Sequence, residues 1–193
     1  MNIFLHKPHL FFAKSLWKTL VPKNGVCIDA TLGNGHDSFF LLSEVISGGT
    51  CIGLDVQQQA LDSSMNLFLN HPNILEINKF YSYLLCHSEI DKIILDKPVD
   101  LIVYNLGYLP SGDKKITTLK ENTLLSLKKA LTLIGNKGLI TITLYPGHSE
   151  GLKESLAIEN WIFTLDEKKY QIIKFSMPLK ETAPYVISIQ KRA

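Results

Sequence analysis

The sequence predicts an α/β protein built on a doubly wound, seven-stranded, mostly parallel sheet with an antiparallel last strand. Three observations carry this. Short apolar runs alternate with longer amphipathic segments, the pattern of βα units on a parallel sheet covered on both faces. Two closing apolar runs, 170–177 and 185–191, have no helix between them and so should be antiparallel neighbours. The first strand-like run ends in an acid and a Gly-x-Gly turn, Val26-Cys-Ile-Asp29-Ala-Thr-Leu-Gly33-Asn34-Gly35-His36-Asp37, then enters a helical pattern at Ser38. In doubly wound sheets that corner receives ligands, because the crevice lies outside the carboxyl ends of the strands.

In chain order, Phe12, Leu16 and Leu20 recur at spacing four and predict a helix over 8–20, closed by Pro22-Lys-Asn-Gly25. Strand one follows at 26–30 and a helix at 37–47, which Asp37 could cap or stabilise through its dipole and which Gly48-Gly49 ends. Strand two is 50–55, a helix spans 57–70 before Pro72, strand three is placed at 74–78, and a helix lies within 81–95. Strand four, Val99–Tyr104, ends at Asn105 and is followed by a loop to about residue 118 and a helix over 119–134. A turn at Gly135–Gly138 leads into strand five, Leu139–Leu144, then Tyr145-Pro-Gly-His148 and a helix over 150–165. Pro178 and Pro184 separate the last two strands.

A chain of 193 residues with this uninterrupted pattern is read as a single domain, 1–193, with an N-terminal helix at about 8–20. Its 46% hydrophobic and 20% charged residues are those of a soluble globular protein. No apolar run reaches the ~18 residues of a membrane span, and the first eight residues are too short and interrupted for a signal peptide. Cys27, Cys51 and Cys86 show no Cys-x-x-Cys spacing and read as ordinary buried thiols, which suits a reducing cytoplasm. A net charge of +2 permits nucleic-acid binding without arguing for it. Arg192 is the only arginine, so phosphate contacts would rest on lysines. No His/Asp/Glu cluster has metal-ligand spacing, and no metal is expected.

The chemically suggestive residues fall at strand ends. Strand one supplies Asp29, Thr31 and the Gly33-Asn34-Gly35 turn with His36 and Asp37; strand two ends at Asp55, followed by Val56; strand four ends at Asn105; strand five ends just before His148. Asp55 lies about twenty residues past the glycines, where an acid accepts hydrogen bonds from both ribose hydroxyls of an adenosine ligand. That geometry also fits NAD. Against NAD, Ser38 stands where the third glycine of the dinucleotide turn belongs, and no hydride apparatus is recognisable. S-adenosylmethionine has no pyrophosphate and does not need the full turn. Asp29 could hold its amine or the backbone amides of the turn.

Asn105-Leu-Gly-Tyr108-Leu-Pro110 is the second element. Asn-x-x-Tyr at this place looks like the Asn-Pro-Pro-Tyr motif of nitrogen-directed methyltransferases, with Leu106 and Gly107 replacing the prolines. In those enzymes the Asn side-chain carbonyl and a following backbone carbonyl accept hydrogen bonds from the target amine, and the aromatic stacks on a planar substrate. Such acceptors aim the nitrogen lone pair at the methyl group, which is catalysis by positioning. His148 could take a proton from the substrate or hydrogen-bond it, or simply start the next helix. His36 faces the ligand or lies exposed on the turn. His6, His9, His71 and His87 read as surface residues. Lys114-Lys115 could contact RNA phosphates or be a solvated loop.

Asp29–Asp37, the Asn105–Pro110 block, Ile116-Thr-Thr118 and Pro146-Gly-His-Ser-Glu-Gly151 together resemble the bacterial "putative rRNA methylase" family of Rossmann-like class I methyltransferases, over residues 8–192. The resemblance implies S-adenosyl-L-methionine as cofactor and, since family members are understood to act on tRNA, N-methylation of the 5-aminomethyl group of wobble (2-thio)uridine. It implies an RNA partner, the tRNA anticodon arm, and is compatible with a homodimer. The residues assigned to cofactor binding are Asp29, Thr31, Gly33, Asn34, Gly35, His36, Asp37, Asp55, Val56 and Asn105; those assigned to catalysis are Asn105, Tyr108 and His148. The chain departs from the family at Pro110-Ser-Gly-Asp-Lys114, where a second glycine is usual, and at Met177–Pro184, where an Asn-Gln…Asn…Pro-Pro segment is usual. The family's Ser-His pair after strand three reads here as Phe80-Tyr81. The alternatives are methylation of rRNA or of a small-molecule amine, and a non-catalytic protein that binds the cofactor or RNA.

Overall fold

The computed structural model describes residues 7–107 and 117–193. The element order is α1 (Pro8–Leu20), β1 (Val26–Asp29), α2 (His36–Phe40), β2 (Thr50–Asp55), α3 (Gln58–Leu69), α4 (Asn73–Ile77), β3 (Lys79–Leu84), β4 (Val99–Asn105), α5 (Lys120–Leu133), β5 (Ile134–Leu144), α6 (Ser149–Ile162), β6 (Tyr170–Phe175) and β7 (Tyr185–Lys191). The sheet order is β3-β2-β1-β4-β5-β7-β6. The first five strands pair parallel, and β7 lies antiparallel between β5 and β6. This is the fold class the sequence predicts.

Alternate residues of each central strand feed two cores, one on each face of the sheet. Cys27, Leu101 and Leu139 pack on one side with Ala13 and Trp17 of α1, Leu41, Leu42 and Phe68. Ile28, Ile102 and Ile140 pack on the other with Leu127 and Ala130 of α5 and Ile158 of α6. Trp17 reaches from α1 to β5, donating its indole N–H to Thr141 Oγ1 at 3.0 Å, which satisfies the polar end of a buried ring. The buried Cys27 and Cys51 lie side by side in register on β1 and β2.

Three elements differ from the sequence reading. Strand three is not 74–78. Pro72 opens the short helix α4 instead, in keeping with the fixed φ that suits proline to a helix start, and the strand runs over Lys79–Leu84. There Phe80 and Ser82 face inward while Lys79, Tyr81 and Tyr83 face out, the alternation of an edge strand. Residues after Leu84 form a 3-10 turn, His87–Lys92, rather than the expected helix. The helix expected at 37–47 changes to a π turn over Leu41–Val45. Asn78 donates its side-chain amide to the Leu42 carbonyl at 2.9 Å, and the Ile46 N–H reaches back to Leu41 instead. The turn expected at 135–138 survives as an irregularity inside β5, with Lys137 at positive φ and a register shift against β4.

Candidate active site

The carboxyl ends of β2, β1, β4 and β5 stand side by side, with β1 flanked by β2 on one side and β4 on the other, and a cavity of about 1020 Å³ opens over them. Its walls include Thr31, Gly33, Asn34, His36 and Asp37 from the first turn. Asp55 and Val56 enter from β2, Asn105 from β4, and Tyr145 and His148 from beyond β5.

Asp29 and Gly35 are not in the wall but beneath it. Asp29 is buried; its Oδ1 accepts the Thr31 N–H at 3.3 Å and its Oδ2 the Ser38 hydroxyl at 2.8 Å. Of its two expected roles, the structure shows the one that holds the turn. Burial, reinforced by the negative charge of Asp37, raises its pKa to about 7. Gly35 has φ 80°, and a Cβ there would meet Ser64 Cβ of α3 at 2.7 Å, so the absent side chain lets α3 pack against the turn.

Asp55 bridges two loops: its Oδ2 accepts the Gly33 N–H at 2.9 Å and its Oδ1 the Gln57 N–H at 3.0 Å. A carboxylate oxygen has two acceptor sites. Each oxygen therefore retains one, the pair needed for two ribose hydroxyls. Val56 stands exposed on the same wall, and Leu85 and Cys86 after β3 extend it. These residues fit an adenosine cofactor.

At the centre, Asn105 is fixed twice. Its N–H donates to Thr31 Oγ1 at 2.7 Å, and its side-chain Nδ2 donates to Asp37 Oδ2 at 3.1 Å. A carboxylate only accepts, so it selects the amide orientation, and Oδ1 is the acceptor that Asn105 brings to the cavity. Asp37 does not cap α2, whose N-cap is Gly35; it is spent on Asn105, with Lys14 Nζ 3.9 Å from its Oδ1. Burial raises the Asp37 pKa against the pull of Lys14 and the Asn105 amide.

His148 is the N-cap of α6, its Nδ1 accepting the Gly151 N–H at 3.1 Å. That places the proton of the neutral ring on Nε2 and commits Nδ1 to the helix. The close approach requires glycine at 151, where a Cβ would lie 2.1 Å from the Tyr145 carbonyl oxygen. His36 lines the cavity. Tyr108 and Lys114-Lys115 lie outside the described residues.

The sequence reading missed Tyr145 and His87. Tyr145 lies beside Asn105 and packs edge-on against His9, and burial raises its pKa to about 12. His87 is buried, not on the surface as expected; it packs edge-on against Tyr104, and burial lowers its pKa to about 4, so it is neutral near pH 7. His9 is likewise buried, while His71 is exposed and His6 lies outside the described residues. With β3 ending at Leu84, the residues after it are Leu85-Cys86-His87-Ser88 and not Phe80-Tyr81, which sit inside the strand. Among the described residues no group of three or more His, Cys, Asp or Glu could hold a metal ion, and no helix is long and apolar enough to cross a membrane.

The antiparallel β7 inserted between β5 and β6 separates this architecture from a plain doubly wound nucleotide binder, and with the strand-end site it defines a Rossmann-like class I methyltransferase. The chain belongs to the rRNA methylase family: the family profile described as "Putative rRNA methylase" matches residues 51–191. It is 32% identical, over 98% of this chain and 72% of the other, to the chloroplastic tRNA (mnm(5)s(2)U34)-methyltransferase of Arabidopsis thaliana. A crystal structure of a "putative rRNA-methylase" from Clostridium thermocellum superposes with TM-score 0.88 at 31% identity, covering 97% of this chain and all (100%) of that one. A "putative methyltransferase" from Streptococcus mutans, solved with S-adenosylhomocysteine, gives 0.83 at 28% identity, covering 97% and 99%. The chain is thus an S-adenosylmethionine-dependent methyltransferase.

Proposed function

We propose that this enzyme N-methylates the 5-aminomethyl group of wobble (2-thio)uridine in tRNA. The observation that carries the proposal is the orientation of Asn105. The Asp37 carboxylate takes its Nδ2, so the residue brings a carbonyl acceptor to the cavity. An acceptor at that point suits a substrate that donates N–H, and the Arabidopsis relative is named for a modified wobble uridine. S-adenosylmethionine supplies a methyl carbon on a sulfonium. Asp55 holds its ribose, the Asp29-braced turn shapes the wall beside it, and Asn34, His36 and Val56 line the same pocket.

Asn105 Oδ1 accepts one N–H of the neutral amine and leaves the nitrogen lone pair to face the methyl group. His148, with Nδ1 in the helix cap, is assigned to substrate binding rather than to taking the proton. Tyr108 is assigned the packing role against base or cofactor. The partner is the anticodon arm and the compartment the cytoplasm; a homodimer stands on the family resemblance and is read by light scattering.

Methyl transfer from labelled S-adenosylmethionine to tRNA carrying unmethylated 5-aminomethyl-2-thiouridine, followed by nucleoside mass spectrometry, tests the reading. A new methylaminomethyl nucleoside is expected. Ribosomal RNA is run beside it, because 45% of the chain is 34% identical to a ribosomal RNA small subunit methyltransferase H of Ureaplasma urealyticum, over 27% of that protein. Transfer to ribosomal RNA alone would overturn the proposal. Asn105→Ala should lower turnover by about a hundredfold or more and leave cofactor affinity within a few-fold; a parallel collapse of both would sink its role.

A further inference from the structure

Glu154 is a carboxylate buried in α6, near the cavity but not in its wall. Both of its oxygens are engaged: Thr118 Oγ1 donates to Oε2 at 2.8 Å and Thr123 Oγ1 to Oε1 at 2.6 Å. A threonine hydroxyl has one proton. Because Thr118 gives it to Glu154, its oxygen can only accept elsewhere, and it accepts the Gly107 N–H at 3.0 Å. The Thr118 N–H in turn donates to the Gly107 carbonyl at 3.0 Å. Gly107 and Thr118 thus clasp one another, and Glu154 anchors the clasp from below.

The closure fixes a direction as well as a position. The Gly107 N–H and the Leu106 carbonyl belong to one planar trans peptide and point opposite ways. Holding the N–H on Thr118 therefore sets where the Leu106 carbonyl points. On the amine-methylation reading, a backbone carbonyl following Asn105 is the second acceptor for the target nitrogen, and Leu106 lines the cavity.

We infer that Glu154 is a positioning residue, acting through the Thr118 hydroxyl to set the Leu106–Gly107 peptide and, with it, the second acceptor for the substrate amine. Burial raises the Glu154 pKa against the pull of the two threonine hydroxyls, and the ionised carboxylate accepts from both threonines at once. This rests on the amine reading for its use in catalysis, but the clasp itself stands on geometry alone.

Two readouts separate the two. Amide hydrogen exchange reports the clasp: Glu154→Ala and Thr118→Val should each lose protection at the Gly107 and Thr118 amides by about tenfold or more. Thr118→Ser, which restores the hydroxyl, should recover it. Steady-state kinetics on the RNA that the wild type methylates report its use: kcat should fall about ten- to a hundredfold, with the Kd for S-adenosylhomocysteine within about twofold of wild type. Unchanged exchange in both variants would overturn the clasp. Lost protection with kcat intact, or a kcat loss matched by lost cofactor affinity, would overturn the positioning role. If Glu154→Ala does not fold, Thr118→Val, which leaves α6 untouched, decides the same questions. A wild type inactive on both tRNA and ribosomal RNA would refute the substrate reading and leave the exchange result to decide the clasp.

Discussion

Replacing Asp37 by asparagine should disarm Asn105 without touching it. Asp37 Oδ2 accepts from Asn105 Nδ2 at 3.1 Å and is the group that selects the amide orientation. A neutral amide at 37 can donate or accept, so either orientation of Asn105 becomes satisfiable, and the one that presents Nδ2 to the substrate amine opposes donor to donor. A hydrogen bond to a charged group contributes about 1.5–3 kcal/mol. The length here exceeds the ~2.7–2.9 Å of strong charged pairs, so the lower figure applies, and ~1.4 kcal/mol is tenfold in rate. Asp37→Asn should therefore slow single-turnover methyl transfer about tenfold at saturating cofactor and tRNA. Asp37 also lines the cofactor wall, so the assay is a double-mutant cycle with Asn105→Ala. In the Asn105→Ala background, Asp37→Asn should have no further effect on the rate, while any loss of cofactor affinity should be equal in both backgrounds. Rate effects that multiply independently would refute the coupling.

Other consequences are open to direct measurement. The Asp29 pKa is raised to about 7 by burial and by Asp37, so between the ordinary carboxylate value and pH 7 the folded state binds more protons than the unfolded. Stability of the cofactor-free protein should fall as pH rises through that window, and Asp29→Asn should flatten the fall in a set of denaturant midpoints. Gly151→Ala places a Cβ 2.1 Å from the Tyr145 carbonyl oxygen; thermal unfolding should show a loss of about 1–3 kcal/mol, with turnover falling as the His148 cap is displaced. Trp17→Ala removes a fully packed ring and its bond to Thr141 and should cost about 3–5 kcal/mol in a urea titration.

The sheet was legible because β1, β2, β4 and β7 are nearly uninterrupted apolar runs, as strands buried on both faces are. The edge strand was harder. Ile74, Leu75 and Ile77 carry more apolar character than the true strand, whose signal is the alternation of Phe80 and Ser82 against Lys79, Tyr81 and Tyr83. That misplacement hid His87, because the residues that follow a strand are found only when its end is right. Asp55 and Asn105 were legible as cavity residues because the ends of strands in a doubly wound sheet face its crevice. Tyr145 was not: an aromatic just after a strand reads as packing, and only the neighbouring Asn105 and Asp37 make it part of the site. No spacing rule joins Thr118 to Glu154, since their bond spans 36 positions and crosses from a loop to a helix.

The place of β7 bears on how the protein is made. β7 pairs with β5 along one side, Leu144 opposite Tyr185, and with β6 along the other, Phe175 opposite Val186. Both partners precede it in the chain. On the ribosome, β5 and β6 therefore emerge with open edges facing one another and no direct ladder to form between them, a condition that invites pairing with other chains. The strands β1 to β4 pair only with one another and β5, so they can assemble earlier. The loop carrying Tyr145 and His148 leaves β5 at Leu144, opposite Tyr185 of β7, so the cavity wall beyond β5 is backed by that strand. That wall of the cavity therefore gains its backing only after β1 to β6 have all been made.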